Sequence, residues 1–260
     1  MLKHIKTLSH FRYLLWMWMI RDIKIRYKQS VLGIAWAILQ PVSLMVIFTV
    51  VFSYFVRIPT DGIPYPVFAY VGILPWTLFS TSISFGVPSL VNNMNLITKI
   101  YFPREILPMT PIGTGVLDFL LGFVVFLFIM IIYRVTFTWT MLWLPLLLLI
   151  QVILILGITL FASAVNVFYR DVRFIIPLLI QLWFYATPII YPLSSVPGWL
   201  KPYYILNPMA GIIDGYRQTI LMGTPPPFWE LFVSAAVSVL ILLGSYAYFK
   251  SVEWKFADLI

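Results

Sequence analysis

Asp118, within GTGVLDFLLG, is the one acid set deep in a long apolar run, where a carboxylate reads either as a cavity-facing polar contact or as part of a proton relay. It has no basic or acidic companion inside an apolar run, which weighs against proton coupling. Other patterns that chemistry requires do not occur: no phosphate-cradling G-x-x-x-x-G-K-[ST], no H-E-x-x-H, no paired intramembrane carboxylates and no serine-nucleophile motif. The absence of cysteine excludes thiolate nucleophiles, disulfides and cysteine metal sites. The two histidines, His4 and His10, sit near a basic terminus, a poor arrangement for a metal cage. A membrane-embedded enzyme acting on polyprenyl-linked sugars would have to use Asp61 or Asp214 as its base, and it would need more convergent polar groups than these.

Aromatic side chains make up 18% of the chain, and several lie away from the expected interfaces. Trp36, Phe48 and Phe52 belong to the first long apolar run, and Trp183, Phe184 and Tyr185 lie near the middle of a later one. Such residues pack against lipid and neighbouring helices. They can also form a stacking track, because flat rings bind the C–H faces of sugars without demanding one register, which suits a polymer that must slide.

The elements that must position these residues follow from composition. The chain of 260 residues is 62% hydrophobic and 10% charged, far from the make-up of a soluble domain, and reads as an all-α polytopic membrane protein. Apolar runs long enough to cross a bilayer cover residues 31–56, 67–90, 106–133, 141–167, 174–191 and 228–249. A single transmembrane domain over 1–260 is expected, with a cytoplasmic amphipathic region at 1–30, six spans over 31–249 and a cytoplasmic tail at 250–260. Six spans and their loops leave no room for a catalytic domain, so ATP consumption would fall to another chain. Residues 1–30 do not read as a cleaved signal, since the apolar run that follows is too long.

The net charge of +8 is distributed in a way that argues for membrane rather than nucleic acid. Lys3, Lys6, Arg12, Arg21, Lys24, Arg26 and Lys28 all precede the first apolar run. The termini and the loops near 91–105 and 168–173 carry 13 of the 17 Lys and Arg, so the positive-inside rule places both termini in the cytoplasm. Ile5, Leu8, Phe11, Leu15 and Trp18 recur at helical intervals among these charges, the pattern of an interfacial helix that anchors the chain or docks a partner. Between the fifth and sixth spans, Ser194, Ser195 and Pro197 precede GWLKPYY, with Trp199 in it, and Asn207-Pro208 starts a second helix that Gly223 ends. Two short apolar helices there suggest a re-entrant hairpin, with Gly211 and Gly215 as a small-xxx-small pair for close helix approach; a loose external loop is the alternative.

Three stretches then carry a family resemblance: RYKQSVLGIAWAILQPVSLMVIF (26–48), NNMNLITKIYFPREILP (92–108) and FYRDVRFIIPLLIQLWFYATPIIYP (168–192). In that order they resemble the membrane-spanning permease subunit of type 2 ABC exporters for polysaccharides, the permeases of O-antigen, teichoic acid and capsule export. The resemblance implies a homodimer in the bacterial inner membrane, paired with two copies of a cytoplasmic ABC ATPase that holds ATP and Mg. A lipid-linked polysaccharide would pass between the two permeases. It implies ATPase coupling through residues 5–28, through Asn92, Asn95, Lys99 and Arg104, and through the turn Tyr169, Arg170 and Asp171. Channel lining would fall to Trp36, Phe48, Phe52, Trp183, Phe184 and Tyr185, and the external gate to Pro197, Trp199, Asn207, Pro208, Gly211 and Gly215. Arg21, Lys24, Arg26 and Lys28 would attract the pyrophosphate of a polyprenyl carrier, with plain cytoplasmic retention as the alternative. An exporter of a small molecule or drug is the competing reading.

Overall fold

The computed structural model describes residues 11–27, 32–56 and 62–256. Ile5, Leu8, Lys28 and Asp61 lie outside them. The described chain consists of helices α1 (Arg12–Tyr27), α2 (Trp36–Thr49), α3 (Tyr65–Gly86), α4 (Ser89–Asn92), α5 (Met94–Ile97), α6 (Ile106–Ile132), α7 (Leu144–Phe168), α8 (Val172–Tyr185), α9 (Lys201–Leu206), α10 (Pro208–Arg217) and α11 (Phe228–Val252). Short 3-10 turns open the spans of α2 and α7, and π turns extend α2 and α10.

Among the described residues, five helical segments are long and apolar enough to cross a membrane: Gly33–Phe55, Tyr65–Gly86, Ile106–Ile132, Trp139–Phe168 and Phe228–Lys255. The expected fifth span, 174–191, is not one helix. α8 has 14 residues, about 21 Å at about 1.5 Å per residue, short of a hydrocarbon core of about 30 Å. Its helix stops at Tyr185, and Thr187, Pro188, Ile189 and Ile190 continue as buried non-helical chain. Pro188 supplies no N–H, so an α-helix running through it would lack a hydrogen bond there.

α3 is the hub. Of its best apolar window 78% is buried, against 6% for the segment containing α2. Glycines admit its neighbours: a Cβ on Gly115 of α6 would lie 3.1 Å from Leu78, and Tyr70 donates to the Gly122 carbonyl at 3.1 Å while stacking on Phe126. α7 and α11 also approach closely, backbone to backbone. A Cβ on Gly157 would stand 2.9 Å from the backbone nitrogen of Leu242.

α1 lies across one end of the bundle. Phe11, Leu14, Leu15 and Trp18 pack on a second apolar cluster built from Phe102, Ile106, Leu107, Phe249 and Phe256. The helix reaches α2 through Gly33, whose φ of +53° favours glycine. The hairpin α9–α10 occupies the opposite end, with Gly223 (φ +64°) ending its π turn.

A Gly157→Val substitution is expected to destabilise the protein by about 1–3 kcal/mol through overpacking against the Leu242 backbone. Gly244→Ala, which meets nothing within 4 Å, serves as the control. Thermal unfolding in detergent checks both, with a lowered Tm for the first and little change for the second.

Candidate translocation site and its two ends

The break in α8 leaves backbone carbonyls that no helix can satisfy, in a part of the molecule with little access to water. Arg217, the last residue of α10, meets them. Its guanidinium donates to the carbonyls of Pro188 at 2.6 Å, Ile189 at 2.5 Å and Tyr191 at 3.2 Å, and it lies 3.8 Å over the Phe68 ring. The residue is 3% exposed. Tyr65 donates to the remaining carbonyl, Ile190, at 2.9 Å. Gly72 of α3 makes room: a Cβ there would lie 2.8 Å from the Ile189 oxygen and 3.1 Å from the guanidinium. Counted by loop, Arg217 is one of the four Lys and Arg that fall outside the termini and the loops near 91–105 and 168–173. The available signal was its setting, an arginine ending a short helix whose other faces carry Met209, Ile212, Ile213 and Tyr216.

Asn207 is the second tie. It caps α10 by accepting from the Met209 N–H at 3.1 Å, and the same oxygen accepts from the Trp183 indole at 3.0 Å. Its amide nitrogen donates to the Thr187 hydroxyl at 3.0 Å. One side chain therefore joins the last turn of α8, the break and the hairpin. Gly211 and Gly215 do not form one groove. Gly211 faces the backbone of Glu230 in α11, while Gly215 faces Leu147 of α7, so the spacing seats α10 between two spans. Pro197 and Trp199 precede α9 in a turn, with Trp199 exposed.

The six expected channel aromatics separate into two groups. Phe48 stacks on Phe184 with centroids 5.9 Å apart, Phe52 stacks on Tyr65, and Phe184 meets Trp76 edge-on at 5.6 Å. Trp183 meets Phe79 edge-on at 5.1 Å. These four rings fasten α2 and α8 to α3. Trp36 and Tyr185 are more than half exposed. They join two apolar faces: Leu39, Val46, Ile47, Val50 and Tyr54 beside Trp36, and Phe174, Leu178 and Leu182 leading to Tyr185.

At the α1 end, Asp118 has a basic companion from outside the apolar runs. Arg26 pairs with it at 2.9 Å, and Tyr27 donates to its other oxygen at 2.8 Å. A reading confined to the spans could not find this partner, because it comes from the interfacial helix. Burial and then the neighbouring carboxylate push the Tyr27 phenol up to about 12. Arg21 is held by Asp22 at 3.1 Å, Asn93 at 3.3 Å and the Trp18 ring at 3.8 Å. Of the four cations expected to attract a pyrophosphate, Arg26 is thus neutralised by Asp118, Arg21 by Asp22, and Lys24 is exposed. A cavity of about 190 Å³ lies beside the pair, lined by Trp36, Gln40, Thr77 and Thr81 among others.

The expected coupling residues also divide. Asn92, Asn95 and Lys99 are exposed on the turns of α4 and α5, and Tyr169, Arg170 and Asp171 are exposed between α7 and α8. Arg104 instead turns inward to the backbone carbonyl of Glu253 and lies over Phe256. Its neighbour Glu105, 1% exposed, pairs with Lys250, which also holds Glu253 at 2.7 Å. This network ties the start of α6 to the end of α11.

Among the described residues, five membrane-length helices and a shorter apolar one, with an interfacial helix at one end and a short-helix hairpin at the other, define an all-helical membrane protein. The chain belongs to the ABC-2 type transporter family, whose pattern matches residues 13–221. It is therefore a multi-pass membrane protein and a transport subunit, not an enzyme, and it works with an ATPase. It is 33% identical over 263 residues to the O-antigen export system permease protein RfbA of Myxococcus xanthus, covering 100% of both chains. It is also 28% identical to an O-antigen export system permease protein RfbA of Klebsiella pneumoniae, over 92% of each chain. Its identity to the polysialic acid transport protein KpsM of Escherichia coli is 26%, over 78% of this chain and 80% of the other.

Asn207→Ala is expected to cost about 2–4 kcal/mol, since it removes the cap together with the Trp183 and Thr187 hydrogen bonds. Asn207→Asp, which keeps the acceptor oxygen, should recover part of that loss in thermal unfolding. For the other end, Arg26→Leu and Asp118→Leu should each destabilise by about 1–3 kcal/mol, and the double substitution by less than their sum. Additive losses in that cycle would mean that the pair is not coupled.

Proposed function

We propose that this protein is the channel-forming permease of an ATP-driven exporter that moves a lipid-linked polysaccharide across the inner membrane of a bacterium. The observation that carries the reading is the full-length relationship to an O-antigen export permease. In the proposed orientation the α1 end is cytoplasmic, as the Lys and Arg distribution favours, and the α9–α10 hairpin faces outward.

Two copies of the chain flank the path. The exposed apolar faces of α2 and α8 support this arrangement, because a face ending in Trp36 or Tyr185 can pack on a second copy and still offer rings to a sugar chain. The partner ATPases supply ATP and Mg and sit against α1, the α4–α5 turns and the Tyr169–Asp171 turn. Their closure pushes on α1, and the Arg26–Asp118 pair passes the displacement to α6. α2, the least enclosed span, is the element best able to shift. The hairpin and the break in α8 move as one body because Arg217 and Asn207 join them. The Asp118 carboxylate then serves as the anchor of α1 rather than as a proton carrier.

Depletion of the protein in its host, followed by mass spectrometry of lipid-linked glycans in the cytoplasmic membrane, tests the reading. Accumulation of a polyprenyl-linked polymer is the expected result. An unchanged pool would redirect the assignment to export of a small molecule.

A further inference from the structure

The hairpin end holds a space distinct from the α2 and α8 faces. A cavity of about 370 Å³ opens between the turn after α8, helices α9 and α10, and the first turns of α3 and α11. That volume lies in the range of about 300–1,000 Å³ typical of small-molecule sites. Its lining includes Lys201, Tyr204, Asp214, Arg217, Gln218 and Glu230.

Two carboxylates and two cations give this lining no net charge. Among the described residues Lys201, Asp214 and Glu230 form no ion pair within 4.0 Å. Arg217 is committed to the carbonyls of the α8 break, and its Nε is buried with no hydrogen-bond partner. Asp214 is hydrogen-bonded to Gln218, while Lys201 and Glu230 form no ion pair among the described residues, so hydrogen-bonding groups of both signs still face one cavity. An anionic ligand would face both carboxylates. A bound cation would find only two acidic ligands, and no group of three or more metal-ligating side chains occurs among the described residues. A compact ligand rich in hydroxyls meets neither obstacle, since each hydroxyl both donates and accepts.

We propose that this cavity binds one neutral hexose-sized unit of the transported glycan. Asp214 and Glu230 accept from its hydroxyls, Lys201 and Gln218 donate to it, and the Tyr204 ring borders it. The identity of the ligand rests on the polysaccharide reading above. Because the cavity lies at the hairpin end, a sugar held there resists backsliding of the chain between power strokes, and weak binding suits a ligand that must move on.

Saturation-transfer NMR on the permease–ATPase complex in nanodiscs, with free mannose, galactose and glucose and with N-acetylneuraminic acid as the anionic probe, tests the proposal. Transfer to at least one neutral hexose is expected, weakened about 10-fold or more by Asp214→Asn combined with Glu230→Gln, the loss of at least one charge-assisted hydrogen bond. Ser194→Trp, on an exposed turn at the cavity wall, should abolish it, and co-purification with the ATPase checks that each variant has folded. No transfer to any neutral hexose, equal transfer in the folded variants, or preference for the anionic sugar would overturn the site. Glycan accumulation on depletion, together with absent transfer, rejects the cavity and leaves polysaccharide export standing; an unchanged glycan pool rejects polysaccharide export itself.

Discussion

A peptide carbonyl in the hydrocarbon has no water to bind, and much of this architecture answers that constraint at one place. α8 ends at Tyr185, and the next turns of chain would be intolerable without donors from elsewhere. Arg217 and Tyr65 provide them, and Gly72 leaves the space in which they do so. The charge that would ordinarily be costly at this depth is stabilised by the carbonyl dipoles and by the face of Phe68. The broken span and the hairpin are therefore one unit, with neither part stable in this form without the other.

The opposite end uses paired charges for a similar purpose. Arg26 with Asp118 joins the interfacial helix α1 to the long helix α6, and Lys250 with Glu105 joins the end of α11 to the start of α6. Between the two polar ends the core is aromatic and glycine-lined, with α3 touched on most sides and α2 covered on few. Rigid joints at both ends and a lightly held span between them give the bundle a defined place at which to move.

Much of this was legible in the sequence. Apolar run length located five of the spans, and Asn207-Pro208 with Gly223 marked the ends of the second hairpin helix and its π turn. The α8 break was not legible from run length, because residues 186–191 are as free of charge as 174–185; Pro188 was the local sign of it, and the distant donors that let the chain stay buried there were not visible. The contacts of Arg217 and Asp118 were not legible for one reason: each finds its partners far away in sequence, and counting charges by loop or by span cannot see across that distance. The aromatic residues were correctly found on α2 and α8, yet their types alone could not tell Phe184, packed on Trp76, from Tyr185 beside it, which is exposed.

The order of these partners along the chain has a consequence for biosynthesis. The carbonyl of Pro188 precedes its donor Arg217 by 29 residues. When 172–192 leaves the ribosome and meets the bilayer, the group that completes it has yet to be made. The segment must therefore wait, at the interface or within the insertion machinery, until the hairpin has emerged and folded back. Assembly of this half of the protein is thus tied to synthesis of the hairpin, and a chain truncated before Arg217 would leave the carbonyls of Pro188, Ile189 and Tyr191 without their donor.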